Sequence, residues 1–194
     1  MTTTSTLNLP PVLTLTDEQF EKLAFANQDI RLELTAAGEL IIMSPTGGET
    51  GNRNFELYLD LGNWNRRTGL GKAFDSSTGF QLPNGAKRCP DLSWISLQKW
   101  QSLSAEQRKK FLPICPDFAV ELVSESDELQ NTRKKLQEYL ANGLQLGWLI
   151  VPNTKTVEIY RPDQDVEYLQ SPSRLFGESV LPGLVVDLQP IWGF

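Results

Sequence analysis

The chain has 194 residues, 40% hydrophobic and 22% charged, with a formal net charge of −6 and no histidine. That length suits one domain with a sizeable core. The missing histidine excludes Ser-His-Asp and Cys-His catalysis and His-ligated zinc, so any hydrolysis must run on carboxylates, Lys, Tyr or a cation such as Mg²⁺, Mn²⁺ or Ca²⁺ held by hard oxygen ligands. The negative balance argues against avid non-specific binding of nucleic acid, while leaving room for a local basic groove.

The first twenty residues, "MTTTSTLNLPPVLTLTDEQF", lack a basic segment followed by an apolar run. They carry no signal-peptide pattern, and no later stretch reaches the length of a membrane span. The expectation is a cytoplasmic protein with an extended arm over residues 1–14. Thr16 and Gln19 have the spacing of a capping box and open a helix running to Ala26. "IRLELT" and "ELIIMS" flank the turn "AAGE" as a β-hairpin. A helix follows from about Glu49 to Arg67, with Phe55, Leu59 and Leu61 expected on its buried face and Gly69 beyond its end.

"GKAFDSSTGFQLPNGAKRCPDLSWIS" reads as three short strands, with a tight turn at Asn84-Gly85. A helical insertion is expected over about 97–112, with Ser104 as an N-cap. "DFAVELVS" is a strongly apolar strand, "NTRKKLQEYLANG" a helix stopped by Gly143, and "LQLGWLIV" with "TVEIY" a second hairpin. "VLPGLVVDL" is one more extended piece. The alternation predicts a mixed α/β sheet flanked by helices, in a single domain over 1–194. The two cysteines, Cys89 and Cys115, each precede a proline and read as small buried thiols.

One residue conflicts with its strand. In "FAVELVSESD", Glu121 interrupts an apolar run, and a buried carboxylate needs a partner. Alternation puts Phe118, Val120 and Leu122 on one face and Ala119, Glu121 and Val123 on the other. A second acid, Asp91, follows Pro90, whose missing N–H interrupts a ladder. On neighbouring strands the two carboxylates would converge, and a divalent cation between them would relieve their repulsion and activate water for phosphodiester attack. On the following helix, Leu129, Leu136, Tyr139 and Leu140 form an apolar stripe. Lys134 lies opposite it, and Arg133 and Lys135 lie on its flanks, where Lys135 can lean toward the acids. The same residues also admit a plain structural reading: a turn-capping Asp, a strand Glu paired with a cation, and a solvated basic helix face.

"ELIIMSPTGGETGNRN", "RCPDLSWIS", "FAVELVSESD", "KKLQEYLANGLQLGWLIVP" and "LPGL", in that order over about 30–185, resemble the Uma family of restriction-endonuclease-like proteins, assigned to the PD-(D/E)XK nuclease superfamily. The resemblance implies a restriction-endonuclease-like mixed central sheet with flanking helices, preceded here by the N-terminal helix and hairpin. It implies that Asp91 and Glu121 hold Mg²⁺ or Mn²⁺ and act in catalysis. Val123 occupies the usual lysine position, and the lysine migrates to Lys135 in "KLQEY". Glu49, or alternatively Glu56, corresponds to an additional acid at the start of the first core helix. Val151 stands where family members often carry Asp before the Pro.

The implied function is a metal-dependent endonuclease acting on DNA, leaving a 5′-phosphate and working as a homodimer. Two other readings stay open: a non-catalytic homodimeric module binding nucleic acid or protein on the same fold, and a phosphohydrolase of small phosphate esters. The basic residues Arg66, Arg67, Lys72, Lys87 and Arg88 either line a cleft mouth or are solvated. The aromatics Trp148 and "PIWGF" belong either to a dimer interface or to the core.

Overall fold

The computed structural model describes residues 14–27, 29–124 and 128–193. The expected arm lies outside these residues except for Thr14, which bridges Glu39. Helix α1 (Asp17–Ala26) begins at Thr16 with the capping box in place: Gln19 N donates to the Thr16 hydroxyl and Thr16 N donates to the Gln19 side chain. The hairpin of β1 (Arg31–Leu34) and β2 (Leu40–Met43) follows, then α2 (Gly48–Thr68), which ends at Gly69 in the left-handed region.

The next stretch holds four strands where three were expected: β3 (Gly71–Asp75), β4 (Phe80–Gln81), β5 (Lys87–Arg88) and β6 (Leu92–Ser96). They divide between two sheets. β4 and β5 join the hairpin in a four-stranded sheet of order β2-β1-β5-β4, while β3 and β6 join a six-stranded sheet. The chain passes from one sheet to the other through Cys89, Pro90 and Asp91. A proline without an N–H suits that change of partner, because no ladder bond is forfeited there.

The six-stranded sheet is completed by β7 (Phe118–Leu122), β8 (Leu146–Val151), β9 (Thr156–Tyr160) and β10 (Glu167–Gln170), in the order β10-β9-β8-β7-β6-β3. β7 and β8 are parallel, and the remaining neighbours are antiparallel. The parallel pair needs a crossover, supplied by α4 (Leu129–Ala141). β11 (Arg174–Phe176) and β12 (Val185–Asp187) form a separate ribbon before the short α5 (Gln189–Trp192). The sequence reading assigned no elements to β10, β11 and α5.

The expected insertion over 97–112 is two pieces. Helix α3 (Leu97–Ser102) is capped by Ser96, and a single 3₁₀ turn spans Gln107–Lys109. Ser104, expected as the N-cap, lies two residues before the actual N-cap, Glu106, and accepts from Gln107 N at 3.2 Å.

Both faces of the large sheet are covered, which explains why β7 is buried throughout and apolar apart from Glu121. Phe118, Val120 and Leu122 join a core formed with α2, β11, β12 and α5. Ala119 and Val123 join a second core with Leu136 and Tyr139 of α4. Trp148 and Trp192 belong to the first core, with the Phe118 and Trp148 rings edge to face at 4.7 Å. They are therefore core residues, one of the two readings the sequence left open, while Phe194 lies outside the described residues.

The buried face of α2 also needs correction. Leu57, Leu61 and Trp64 are buried, whereas Phe55 and Leu59 are exposed. Only Leu57, Leu61 and Trp64 keep the i, i+4, i+7 spacing of one helical stripe; Phe55 and Leu59 are neighbours on another face from Leu61.

Candidate active site

Asp91 lies immediately before β6, and Glu121 lies in the neighbouring strand β7. Leu92 pairs with Val120 across β6 and β7, so continuing the antiparallel register sets Asp91 opposite Glu121. Directly opposed side chains share a face, with Cβ atoms about 4.5–5.5 Å apart. Asp91 Oδ2 accepts the Leu122 amide at 2.9 Å. From the other side, the Tyr58 hydroxyl on α2 donates to the Asp91 carbonyl at 2.8 Å. The acid is thus held at the seam between the sheets by strand register and by α2.

Glu121 is only 5% exposed. Its partners sit one turn apart on α4: Lys135 Nζ lies 3.0 and 3.1 Å from its two oxygens, and the Tyr139 hydroxyl donates to Oε1 at 3.0 Å. The buried stripe of α4 dictates this. With Leu136 and Tyr139 packed on the sheet, Lys135 is carried along the flank toward β7, while Lys134 is exposed. Val123, at the usual lysine position, packs into the second core.

A third acid, Glu33 of β1, was not anticipated. Its Oε1 lies 2.8 Å from Lys135 Nζ and accepts the Cys89 amide at 2.8 Å, and its Oε2 lies 3.2 Å from Arg88 Nη1. Arg88 Nε in turn reaches Glu138 of α4 at 2.6 Å. The available signal was the one that singled out Glu121: a lone acid between leucines, here Leu32-Glu33-Leu34. In a hairpin that alternates polar and apolar residues, however, the acid reads as solvent-facing.

The electrostatics separate the two buried glutamates. Burial pushes the Glu121 carboxyl up to about 8; Asp91 and Glu33 add to this, and Lys135 opposes it. Burial works in the same direction on Glu33, but Lys135 and Arg88 outweigh it and hold its pKa below the ordinary carboxylate value. Burial would lower the Lys135 pKa, yet Glu121, Glu33 and Asp91 overcome it and keep the ammonium above its usual range.

These groups lie in the wall of a cleft of about 1040 Å³, between the hairpin and the start of α2 on one side and α4 on the other. Of the proposed basic residues only Arg88 lines it, joined by Arg31, Arg53, Lys134 and Lys135. Lys87 is fully buried and pairs with Asp17 at 2.7 Å. Arg66, Arg67 and Lys72 are exposed and outside the cleft lining. Glu49 lines the cleft rim, but its side chain is 86% exposed and pairs with Arg53 at 3.3 Å. Glu56 is not part of the lining. Neither joins the Asp91–Glu121 pair in the way Glu33 joins Lys135.

Among the described residues, no group of three or more His, Cys, Asp or Glu is arranged to hold a metal ion. The candidate donors are the Asp91 and Glu121 carboxylates; Glu33 is clamped by Arg88, Lys135 and the Cys89 amide, and Glu121 would have to turn an oxygen away from Lys135 to take a cation. Two carboxylates suit a Mg²⁺-type ion, which keeps several waters and takes its other oxygens from a substrate phosphate. The chemistry of this donor pair, two oxygen ligands at a cleft wall, fits such an ion.

A family model, Uma2, described as "Putative restriction endonuclease", matches residues 17–189. The chain belongs to the Uma2 family. Among solved structures, "a putative nuclease belonging to DUF820" from Anabaena variabilis ATCC 29413 superposes with a TM-score of 0.77 at 22% identity, covering 93% of this chain and 97% of that one. The Uma2 chain thus shares a nuclease-like fold. No curated protein matches it. Among the described residues, no helix is long and apolar enough to cross a membrane.

Proposed function

We propose that the protein is a Mg²⁺- or Mn²⁺-dependent endonuclease that hydrolyses phosphodiester bonds of DNA. The observation that carries this reading is that Asp91, which accepts the Leu122 amide next to Glu121, lines one cleft with Glu121 and with the Lys135 ammonium, 3.1 Å from the Glu121 carboxylate. Asp91 and Glu121 would hold the cation. A cation so held supplies Lewis acidity and a more acidic water. Lys135 adds a fixed positive charge beside the acids, placed to stabilise the negative charge that builds on a phosphate under attack. Tyr139 donates to Glu121 Oε1 and so fixes the direction of that carboxylate.

The decisive experiment incubates plasmid and single-stranded DNA with Mg²⁺ or Mn²⁺ and compares wild type with Glu121→Gln. Cleavage by wild type alone is expected. Equal cleavage by both proteins would overturn the mechanism.

A second reading is supported by the close internal pairing of Lys135 and Arg88, together with the net charge of −6. On this reading the protein is a non-catalytic binding module on the same fold. It requires binding without cleavage under every metal condition of the same assay.

A further inference from the structure

The proposed chemistry accounts for Asp91, Glu121 and Lys135, but not for a buried glutamate on a different sheet. We infer that Glu33 is a positioning residue: it anchors the Lys135 ammonium from the small sheet and holds it in place beside Glu121. This rests on the nuclease reading for its consequence in catalysis, though not for the anchoring itself.

The ammonium lies between two carboxylates, 2.8 Å from Glu33 and 3.0 Å from the nearer Glu121 oxygen. A lysine side chain is a long, flexible stem that fixes no geometry by itself. Glu33, by contrast, is 3% exposed and immobilised on its other sides by the Cys89 amide and by Arg88. Arg88 reaches Glu138, one turn along α4 from Lys135. Two cationic contacts of Glu33 therefore return to the same helix, one directly through Lys135 and one through Arg88 and Glu138. The arrangement clamps α4 to the small sheet at the level of the ammonium.

It also leaves Lys135 a charged partner when Glu121 is engaged elsewhere. If Glu121 turned its oxygens to a cation, an ammonium paired with Glu121 alone would lose its counter-charge in a buried site. Glu33 retains it. A positioned lysine on this fold then needs an acid from outside the central sheet, and β1 supplies it at the seam where the chain crosses at Cys89 and Pro90.

The test reads the ammonium directly. In ¹⁵N-labelled protein without metal or substrate, a lysine held by two buried carboxylates exchanges slowly enough to show an Nζ resonance, assigned by its loss in Lys135→Met. Absence of that resonance from wild type would overturn the anchoring. Glu33→Gln keeps the size and an acceptor but removes the charge. It is expected to melt cooperatively, lose or broaden the Lys135 resonance, and lower kcat about 10–100-fold, the usual cost of removing a supporting partner, with KM unchanged.

Glu33→Asp restores charge at shorter reach and is expected to recover part of both signals; if Glu33→Gln does not fold, this variant and the wild-type resonance decide. An unaltered resonance in a folded Glu33 variant, or a kcat equal to wild type, would refute the role of Glu33. Absence of cleavage by wild type with the resonance present and sensitive to Glu33 would sink the nuclease reading and leave the anchoring standing.

Discussion

One helical turn separates Lys135 from Tyr139, and both side chains end on the carboxylate of Glu121. Residues at i and i+4 stack on one helix face, so a single orientation of α4 delivers a cation and a hydroxyl donor to the same buried acid. Glu121 is then satisfied from above by the helix while it shares the sheet surface with Asp91.

Tyr139→Phe removes the hydroxyl and leaves the ring. The lost bond at a buried carboxylate should cost about 1–3 kcal/mol of stability, because an acceptor is left undersatisfied. Urea unfolding checks this through a lower midpoint at unchanged m-value. A midpoint equal to wild type would mean that the hydroxyl contributes nothing to holding Glu121.

Metal binding to Asp91 and Glu121 should raise stability by mass action. At free Mn²⁺ 100 times its dissociation constant, the gain is about 2.7 kcal/mol. Thermal melts with and without Mn²⁺ should show the increase in wild type, and its loss in Asp91→Asn and Glu121→Gln. An equal metal-induced rise in all three proteins would place the metal elsewhere.

The corrected face of α2 gives a contrast between neighbours. Leu57 is fully buried in the first core and Phe55 is 55% exposed. Leu57→Ala should cost about 2–5 kcal/mol through lost burial and a residual cavity. Phe55→Ser should stay within about 0.5 kcal/mol. Chemical denaturation of the two variants would reveal a reversed order if the helix faced the other way.

Cys115 lies in the second core, where burial pushes its thiol from the ordinary 9.0 up to about 12, with Asp117 adding and Lys99 opposing. Few thiolates form near pH 8, so alkylation by iodoacetamide should be slow in the native protein and fast in urea. The folded pKa is the higher one, so this group's contribution to stability is complete below about pH 9 and is lost as pH rises toward 12. Mass spectrometry of the labelled peptide checks the first outcome. Native labelling as fast as in urea would contradict the burial.

Local patterns in the sequence determined the pieces. The capping box at Thr16, the α4 stripe that separates Lys135 from Lys134, and the alternation that puts Glu121 on the opposite face from Phe118 were all legible. Asp91 and Lys135 were picked out too, because a proline marks a break in a ladder and a helix flank has a calculable direction.

Tertiary structure decided what covers each face. Glu33 alternates with leucines as a solvent-facing residue would, yet α4 and Arg88 close over it. Lys87 reads as surface and is buried against Asp17. Phe55 and Leu59 read as core and are exposed. The physical reason is that side-chain periodicity records which residues share a face, a property of neighbours along the chain. Whether that face meets water or another element depends on how distant segments pack, and residues 33, 91, 121 and 135 meet only when a second sheet docks against the helix that crosses the first.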